Sequence, residues 1–350
     1  MWSKKFSSMR HPRRSFETSW LRLFENFINY KKYFKQMNVI KIGNRIISNK
    51  HKPLVVAEIG INHFGSLTVA KKIVNAAKKS GAEAVKVQIH IPEEEMSEEA
   101  KKIKPGNSNK NIFKIIKENS LSLENEKKLK NYIEKKKLIY IATPFSYKAA
   151  KWLNKNNVKI FKIGSGECNN IPFIKYVCSF KKPMIISTGM NTLKDVKKTV
   201  NIVKKNKIPH ALLHCVNIYP VKYNHIRLSR LIRMQKIFNK SIIGYSDHSI
   251  GNDIATAALG LGAKIIEKHF VETKEKKGPD VVCSMDKNEL KSLIISSKRI
   301  FQAYSSNKEK IKQEDVTRRF AFHSVVSNKK IKKNEKLSQM NLTTKRPGTG

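Results

Sequence analysis

Short polar phrases close several runs of Val and Ile in this chain, and their residue types could do anion and metal chemistry. Lys86 and Gln88 sit two apart in AVKVQIH, as do Glu267 and His269 in AKIIEKHF. In an extended strand that spacing puts both members of a pair on one face. Glu58, Thr143, Lys162, Ser165, Glu167, Ser187, Asn217, Tyr219, Ser246, Asp247 and His248 close or follow further runs. Two lysines, three serines, a threonine and an asparagine converging on one mouth would suit a ligand with phosphate and carboxylate groups, because each anionic oxygen takes several donors. His248 and His269, beside Asp247 and Glu267, could share one divalent cation and leave positions open for substrate and water. Each residue alone has a plainer reading: a strand-end Ser or Thr satisfies backbone, and a single His is a hydrogen-bonded core residue. Lys162 alone would equally suit a Schiff base. His214 should face opposite Cys215 and reads as structural.

The elements that position these residues repeat eight times. Apolar runs at 53–60, 82–90, 138–145, 159–166, 183–189, 210–217, 241–247 and 263–270 alternate with Lys-rich stretches of helical period. From Thr192 to Lys207, for example, Leu193, Val196, Val200 and Val203 make one apolar stripe. Eight β/α units predict an α/β fold, a (β/α)8 TIM barrel, in which chemistry lies at the carboxyl ends of the strands. An insertion from Pro92 to Leu121, around EEEMSEEAKKIKPGN, is expected to cover part of that face. Residues 37–306 are assigned to the barrel, 307–319 to a charged linker, and 320–350 to a short β-rich module.

Composition excludes other classes. The 350 residues carry 71 Lys+Arg against 27 Asp+Glu, a formal charge of +44, yet 40% are apolar and 8% aromatic, too many for a disordered basic tail. The excess is Lys, spread along the chain with abundant Asn and Ile as A/T-rich coding produces, so a nucleic-acid partner is not expected. No apolar run approaches the roughly 18 residues of a membrane span. Four cysteines without a CxxC pair point to free thiols and a cytoplasmic setting. Residues 1–36 are read as a basic extension to be left out of the fold, an amphipathic arm, a transit-like segment or a start placed too early, with Met37 as the alternative start.

The segments AEIGINHFGS, AVKVQIH, ATPFS, KIGSGECNN, ISTGMN, LLHCVNIYP, GYSDHS, EKHF and GPDVVCSM, in this order, resemble the sialic acid synthase family, most closely its bacterial N-acetylneuraminate synthases. The likeness spans residues 38–350. NLTTKRPGTG resembles the opening of the antifreeze-like (SAF) domain that follows the barrel there, about half of which is expected to be missing. The resemblance implies condensation of phosphoenolpyruvate with the open-chain form of an N-acetylated hexosamine, N-acetylmannosamine in the sialic acid case, with release of phosphate by carbon–oxygen cleavage. It implies a phosphoenolpyruvate cradle of Lys86, Thr143, Lys162, Ser165, Ser187, Asn217 and Ser246. His248 and His269 would be ligands of a divalent metal, manganese or magnesium. Glu58, Gln88, Tyr219 and Asp280 would line the sugar site, with Glu58 and Glu167 as the acid/base candidates. A domain-swapped homodimer is implied, in which Arg346 reaches the substrate's acetamido group in the partner barrel. Legionaminic or pseudaminic acid synthesis is the nearest alternative, and a polyanion-binding scaffold the alternative from another class.

Overall fold

The structure, a computed structural model, describes residues 39–105, 109–275, 278–305 and 310–348; the N-terminal extension and part of the linker lie outside them. The described residues fall into two compact units, one running through Phe301 and the other from Gln302.

The first unit begins with a hairpin of β1 (Ile40–Ile42) and β2 (Arg45–Ile47), joined through Gly43 and Asn44, with Gly43 at positive φ as a two-residue turn demands. Eight parallel strands then close into a barrel: β3 (Leu54–Glu58), β4 (Ala84–Ile89), β5 (Ile139–Pro144), β6 (Phe161–Ile163), β7 (Met184–Ser187), β8 (His210–Cys215), β9 (Ile242–Asp247) and β10 (Ile265–His269). The expected strands and the barrel are both present, with β10 closing on β3 in the register His269 to Glu58.

Amphipathic helices cover the barrel: α1 (Leu67–Lys79), α4 (Leu123–Lys135), α5 (Tyr147–Lys155), α6 (Ile171–Ser179), α7 (Leu193–Lys205), α9 (Ser229–Ile237), α10 (Asp253–Gly260) and α11 (Lys287–Ser305). The side chains of Ser66, Ser122, Ser146, Asn170 and Thr192 cap the first five of these by accepting a backbone N–H, which fixes where each loop hands over to its helix. The insertion after β4 contains α2 (Pro92–Glu95) and α3 (Ile112–Asn119), and α8 (Tyr223–Ile226) follows β8.

Two apolar layers result from the strand alternation. Outward residues such as Val85, Ala142, Ile163, Ile186, Leu212 and Ile266 pack against the helices. Inward residues at the amino ends, among them Leu54, Val56, Ile141, Ile185, Leu213 and Ile265, pack with Ile40, Ile42 and Ile47 of the hairpin, which plugs the floor of the barrel. All four cysteines are free and buried. Among the described residues no helix is long and apolar enough to cross a membrane.

The second unit contains a short helix, α12 (Asp315–Ala321), and an antiparallel pair, β11 (Ser324–Ser327) with β12 (Leu342–Lys345). The helix begins within the stretch expected to be linker.

A buried carboxylate in the helical layer makes stability depend on pH. Glu126 of α4 is 2% exposed, its Oε2 has no hydrogen-bond partner, and burial pushes its pKa up to about 8. Lys130, one turn on, pairs with Glu134 instead at 2.7 Å. The folded state therefore prefers the protonated acid, whereas the unfolded chain ionises near the usual value of 4.5. Stability from this group is full below that value and falls as pH rises toward about 8, by an amount on the order of a few kcal/mol. Urea unfolding should show Glu126→Gln more stable than the parent at pH 8 and nearly equal at pH 5. Equal differences at both pH values would contradict this.

Candidate active site

Along the strands, the inward positions turn from apolar to polar as the chain rises: Leu54, Val56, then Glu58; Ala84, Lys86, then Gln88; Ile265, Glu267, then His269. The polar ends gather at the carboxyl mouth. Fully buried Lys162 donates to Ser187 Oγ at 2.7 Å. Glu267 lies between the two lysines, with Oε1 2.9 Å from Lys86 Nζ and 3.5 Å from Lys162 Nζ, and accepts from Ser246 Oγ at 3.1 Å. Burial alone would raise the pKa of Glu267, but the two ammonium groups overcome it and hold the carboxyl near 2. Burial pulls the Lys162 pKa down in spite of that carboxylate. Two buried lysines and two hydroxyls around Glu267, with Glu58 also 3.3 Å from Lys86, gather the donors that an anionic ligand requires.

The loops after β6 and β7 extend this cluster. Ser165 Oγ accepts from Gly189 N–H at 3.1 Å, and buried Asn191 donates to the carbonyls of Ser165 and Gly189 at 2.8 and 2.6 Å. A Cβ at position 189 would collide with Asn217 Oδ1 and approach Ser165 Oγ, so only glycine lets the two loops meet. Thr143 is buried at the end of β5 with its hydroxyl unpartnered.

Two carboxyl groups are suited to proton transfer near neutral pH. Burial raises the Glu58 pKa to about 7 against the pull of Lys86, whose Nζ is 3.3 Å from Oε2. Its Oε1 accepts from Gln88 Nε2 at 3.0 Å, while Oε2 has no hydrogen-bond partner. Glu167, after β6, is likewise raised to about 7 by burial, and its Oε2 is also unpartnered. Orphaned buried oxygens of this kind mark places where a ligand or water completes the bonding.

The rings of His248 and His269 lie 5.5 Å apart, centre to centre, with Tyr219 packed against both at 4.0 and 5.9 Å. His248 Nδ1 donates to the Val216 carbonyl at 2.8 Å, so Nε2 is the nitrogen available to another partner. Burial drives the His269 pKa down to about 3, so that ring is neutral; its Nδ1 has no hydrogen-bond partner and lies 3.6 Å from Asp280 Oδ2. These two imidazoles fit a divalent cation, although among the described residues no cluster of three or more His, Cys, Asp or Glu is arranged to enclose one. At Gly60, with φ near +54°, a Cβ would come within 3.1 Å of the His269 ring and 3.2 Å of Asp280, so the chain needs glycine where it leaves β3.

Asp247 and Glu267 do not flank the histidines as the sequence suggested. Glu267 faces the lysines, and Asp247 turns outward to pair with Lys268 at 2.7 Å. Its other oxygen accepts from Ser249 N, Ser249 Oγ and Tyr245 OH, which anchors the turn that presents His248. His214 faces away from the mouth and bonds the Ile226 carbonyl at 2.7 Å, as its position opposite Cys215 required. Arg346 is exposed at the end of β12, in the second unit. Sequence reasoning missed the bridging position of Glu267, since its partners lie far away in the chain. It also missed Asn191, which the ISTGMN segment contains.

A closed β/α barrel that gathers two buried lysines, paired acids and two imidazoles at its carboxyl mouth has the composition of an enzyme site. Comparison with known proteins narrows the class. The model of the NeuB family matches residues 73–309, and the chain belongs to that family. It is 36% identical to the N,N'-diacetyllegionaminic acid synthase of Campylobacter jejuni, over 85% of this chain and 92% of that protein. It is 32% identical to the human N-acetylneuraminate-9-phosphate synthase, over 86% of this chain and 85% of the relative. The crystal structure of the N-acetylneuraminic acid (sialic acid) synthetase of Leptospira borgpetersenii, in complex with citrate, superposes with a TM-score of 0.73 at 30% identity, covering 81% of this chain and 96% of that one. The protein is thus an enzyme of sialic-acid-type sugar synthesis.

Proposed function

We propose that this enzyme condenses phosphoenolpyruvate with the open-chain form of N-acetylmannosamine and water, giving N-acetylneuraminate and phosphate. The observation that carries the reading is the Lys86–Glu267–Lys162 cluster, with Ser187 and Ser246 bonded into it, at the same mouth as Glu58 and Glu167, each with one oxygen lacking a hydrogen-bond partner. In this reading Lys86, Lys162, Thr143, Ser165, Ser187, Asn217 and Ser246 hold the phosphate and carboxylate of phosphoenolpyruvate. Gln88, Tyr219 and Asp280 line the hexosamine, and Arg346 of one subunit serves the acetamido group in a partner's barrel within a homodimer.

His248 and His269 would hold manganese or magnesium, which when bound polarises the sugar aldehyde toward the weakly nucleophilic enol carbon. Attack by that carbon leaves an oxocarbenium at the neighbouring position, stabilised by the phosphoenolpyruvate oxygens, and water captures it. Glu58 and Glu167 are the groups able to take the water's proton and to protonate the new alkoxide, since each has one oxygen without a hydrogen-bond partner and a pKa near 7. Collapse of the tetrahedral carbon then breaks its bond to oxygen, and Lys86 and Lys162 stabilise the departing phosphate.

The higher identity to the Campylobacter enzyme favours a second acceptor, the diacetamido hexosamine that leads to legionaminic acid. Incubation of purified protein with phosphoenolpyruvate and a panel of hexosamines decides between them. Phosphate release should require an acceptor, be lost with chelator, and be fastest with N-acetylmannosamine. Bridging-oxygen label in phosphoenolpyruvate should appear in phosphate. Release without acceptor, or label kept in the sugar acid, would overturn the mechanism.

A further inference from the structure

The EEE turn of the insertion sends each carboxylate to a different element. Glu93 pairs with Lys117 of α3 and Glu94 with Lys148 of α5, each at 3.0 Å and solvent-exposed, so they add little. Glu95 turns inward, and its side chain is only 5% exposed. Its Oε1 is 2.9 Å from His90 Nδ1; His90 Nε2 is 3.1 Å from Gln88 Oε1; and Gln88 Nε2 is 3.0 Å from Glu58 Oε1. The His90 ring is clamped in its plane by Phe145, stacked at 4.3 Å and 9°.

The donor count along this chain has one solution for an ionised Glu58. Its oxygen can only accept, so Gln88 must present its nitrogen, and the Gln88 oxygen must then accept in turn. The donor placed to reach it is His90 Nε2–H. The ring closes on Glu95 through Nδ1 with a hydrogen held between that nitrogen and Oε1. We propose that His90 and Glu95 are positioning residues that fix the Gln88 amide, and through it leave Glu58 Oε2 as the oxygen facing the substrates. Without them the amide is free to flip, and Glu58 loses its fixed orientation. The inference rests on the assignment of Glu58 to the reacting site. It also gives the insertion a part in the reaction, because Glu95 of its first helix, α2, supplies the far end of the chain.

His90→Phe keeps a ring to stack on Phe145 and removes both nitrogens. It should lower kcat by about 10- to 100-fold, the scale of a misoriented reacting group, with the KM for phosphoenolpyruvate and the thermal midpoint close to the parent's. Glu95→Leu should fall similarly, and Glu95→Gln, whose amide can still bond Nδ1, should keep most of the activity. In a Gln88→Ala background, where the chain is already cut, His90→Phe should cost nothing further. Additive losses, or a His90→Phe enzyme with parental kcat, would overturn the proposal. A second readout needs no turnover. In the parent labelled with 15N-histidine, His90 Nε2 should carry its hydrogen at neutral pH, and an unprotonated Nε2 would refute the chain even if the synthase reading failed its own assay.

Discussion

The Lys162→Met enzyme is expected to show kcat/KM for phosphoenolpyruvate lower by about 10²- to 10³-fold, the loss typical of removing one preorganised charge donor from a developing anion. Lys162 is 2% exposed and bonded to Ser187, so its ammonium is held ready before any ligand arrives. Removing Lys162 takes away one of the two buried ammonium groups, and the one that remains, Lys86, already lies 2.9 Å from Glu267 and 3.3 Å from Glu58. Methionine keeps much of the side-chain volume, and the thermal midpoint should show the fold intact. The KM for the hexosamine should change far less than that for phosphoenolpyruvate. Parental kcat/KM for phosphoenolpyruvate would remove Lys162 from the anion site.

Glu267→Ala should act in the opposite sense, on stability before activity. The carboxylate is 5% exposed and compensates two buried ammonium groups, so deleting it leaves cations facing one another with Glu58 as their remaining acidic neighbour. Breaking a buried ion pair on one side costs about 3–5 kcal/mol, which lowers the thermal midpoint by roughly 10 °C in a domain of this size. Inorganic phosphate supplies the missing charge and should raise the midpoint of the variant more than that of the parent. Equal phosphate shifts in the two proteins, or an unchanged midpoint in the variant, would show that Glu267 does not balance the lysines.

Much of the barrel was legible because its strands are short Val- and Ile-rich runs between Lys-rich helical stretches. The alternation that puts Lys86 beside Gln88, and Glu267 beside His269, also oriented these residues toward the interior. The same rule, applied to Ser246, would have turned Asp247 outward, where the structure pairs it with Lys268. The hairpin at Ile40–Ile47 also left a signal, a Gly-Asn pair between Ile-rich threes, that went unread. What no local pattern reveals is which charges meet across a closed barrel. Lys86 and Glu267 lie 181 positions apart, and only closure of β10 on β3 brings them together. The chain from Glu95 to Glu58 was hidden for a related reason: the EEE turn reads as a solvated acidic patch, and two of its three carboxylates are that.

The plugged floor beneath a polar mouth divides the interior into two territories that answer to different demands. Inward positions near the amino ends, such as Val56, Ile141 and Ile185 against the hairpin isoleucines, answer only to packing. Those one or two steps higher answer to charge and proton traffic. Directed evolution of this enzyme can therefore treat the halves as separate libraries, with volume-conserving swaps in the floor to gain heat tolerance. Acceptor preference would be sought in the loops after the strands, and the two sets of changes should combine freely because they share few neighbours.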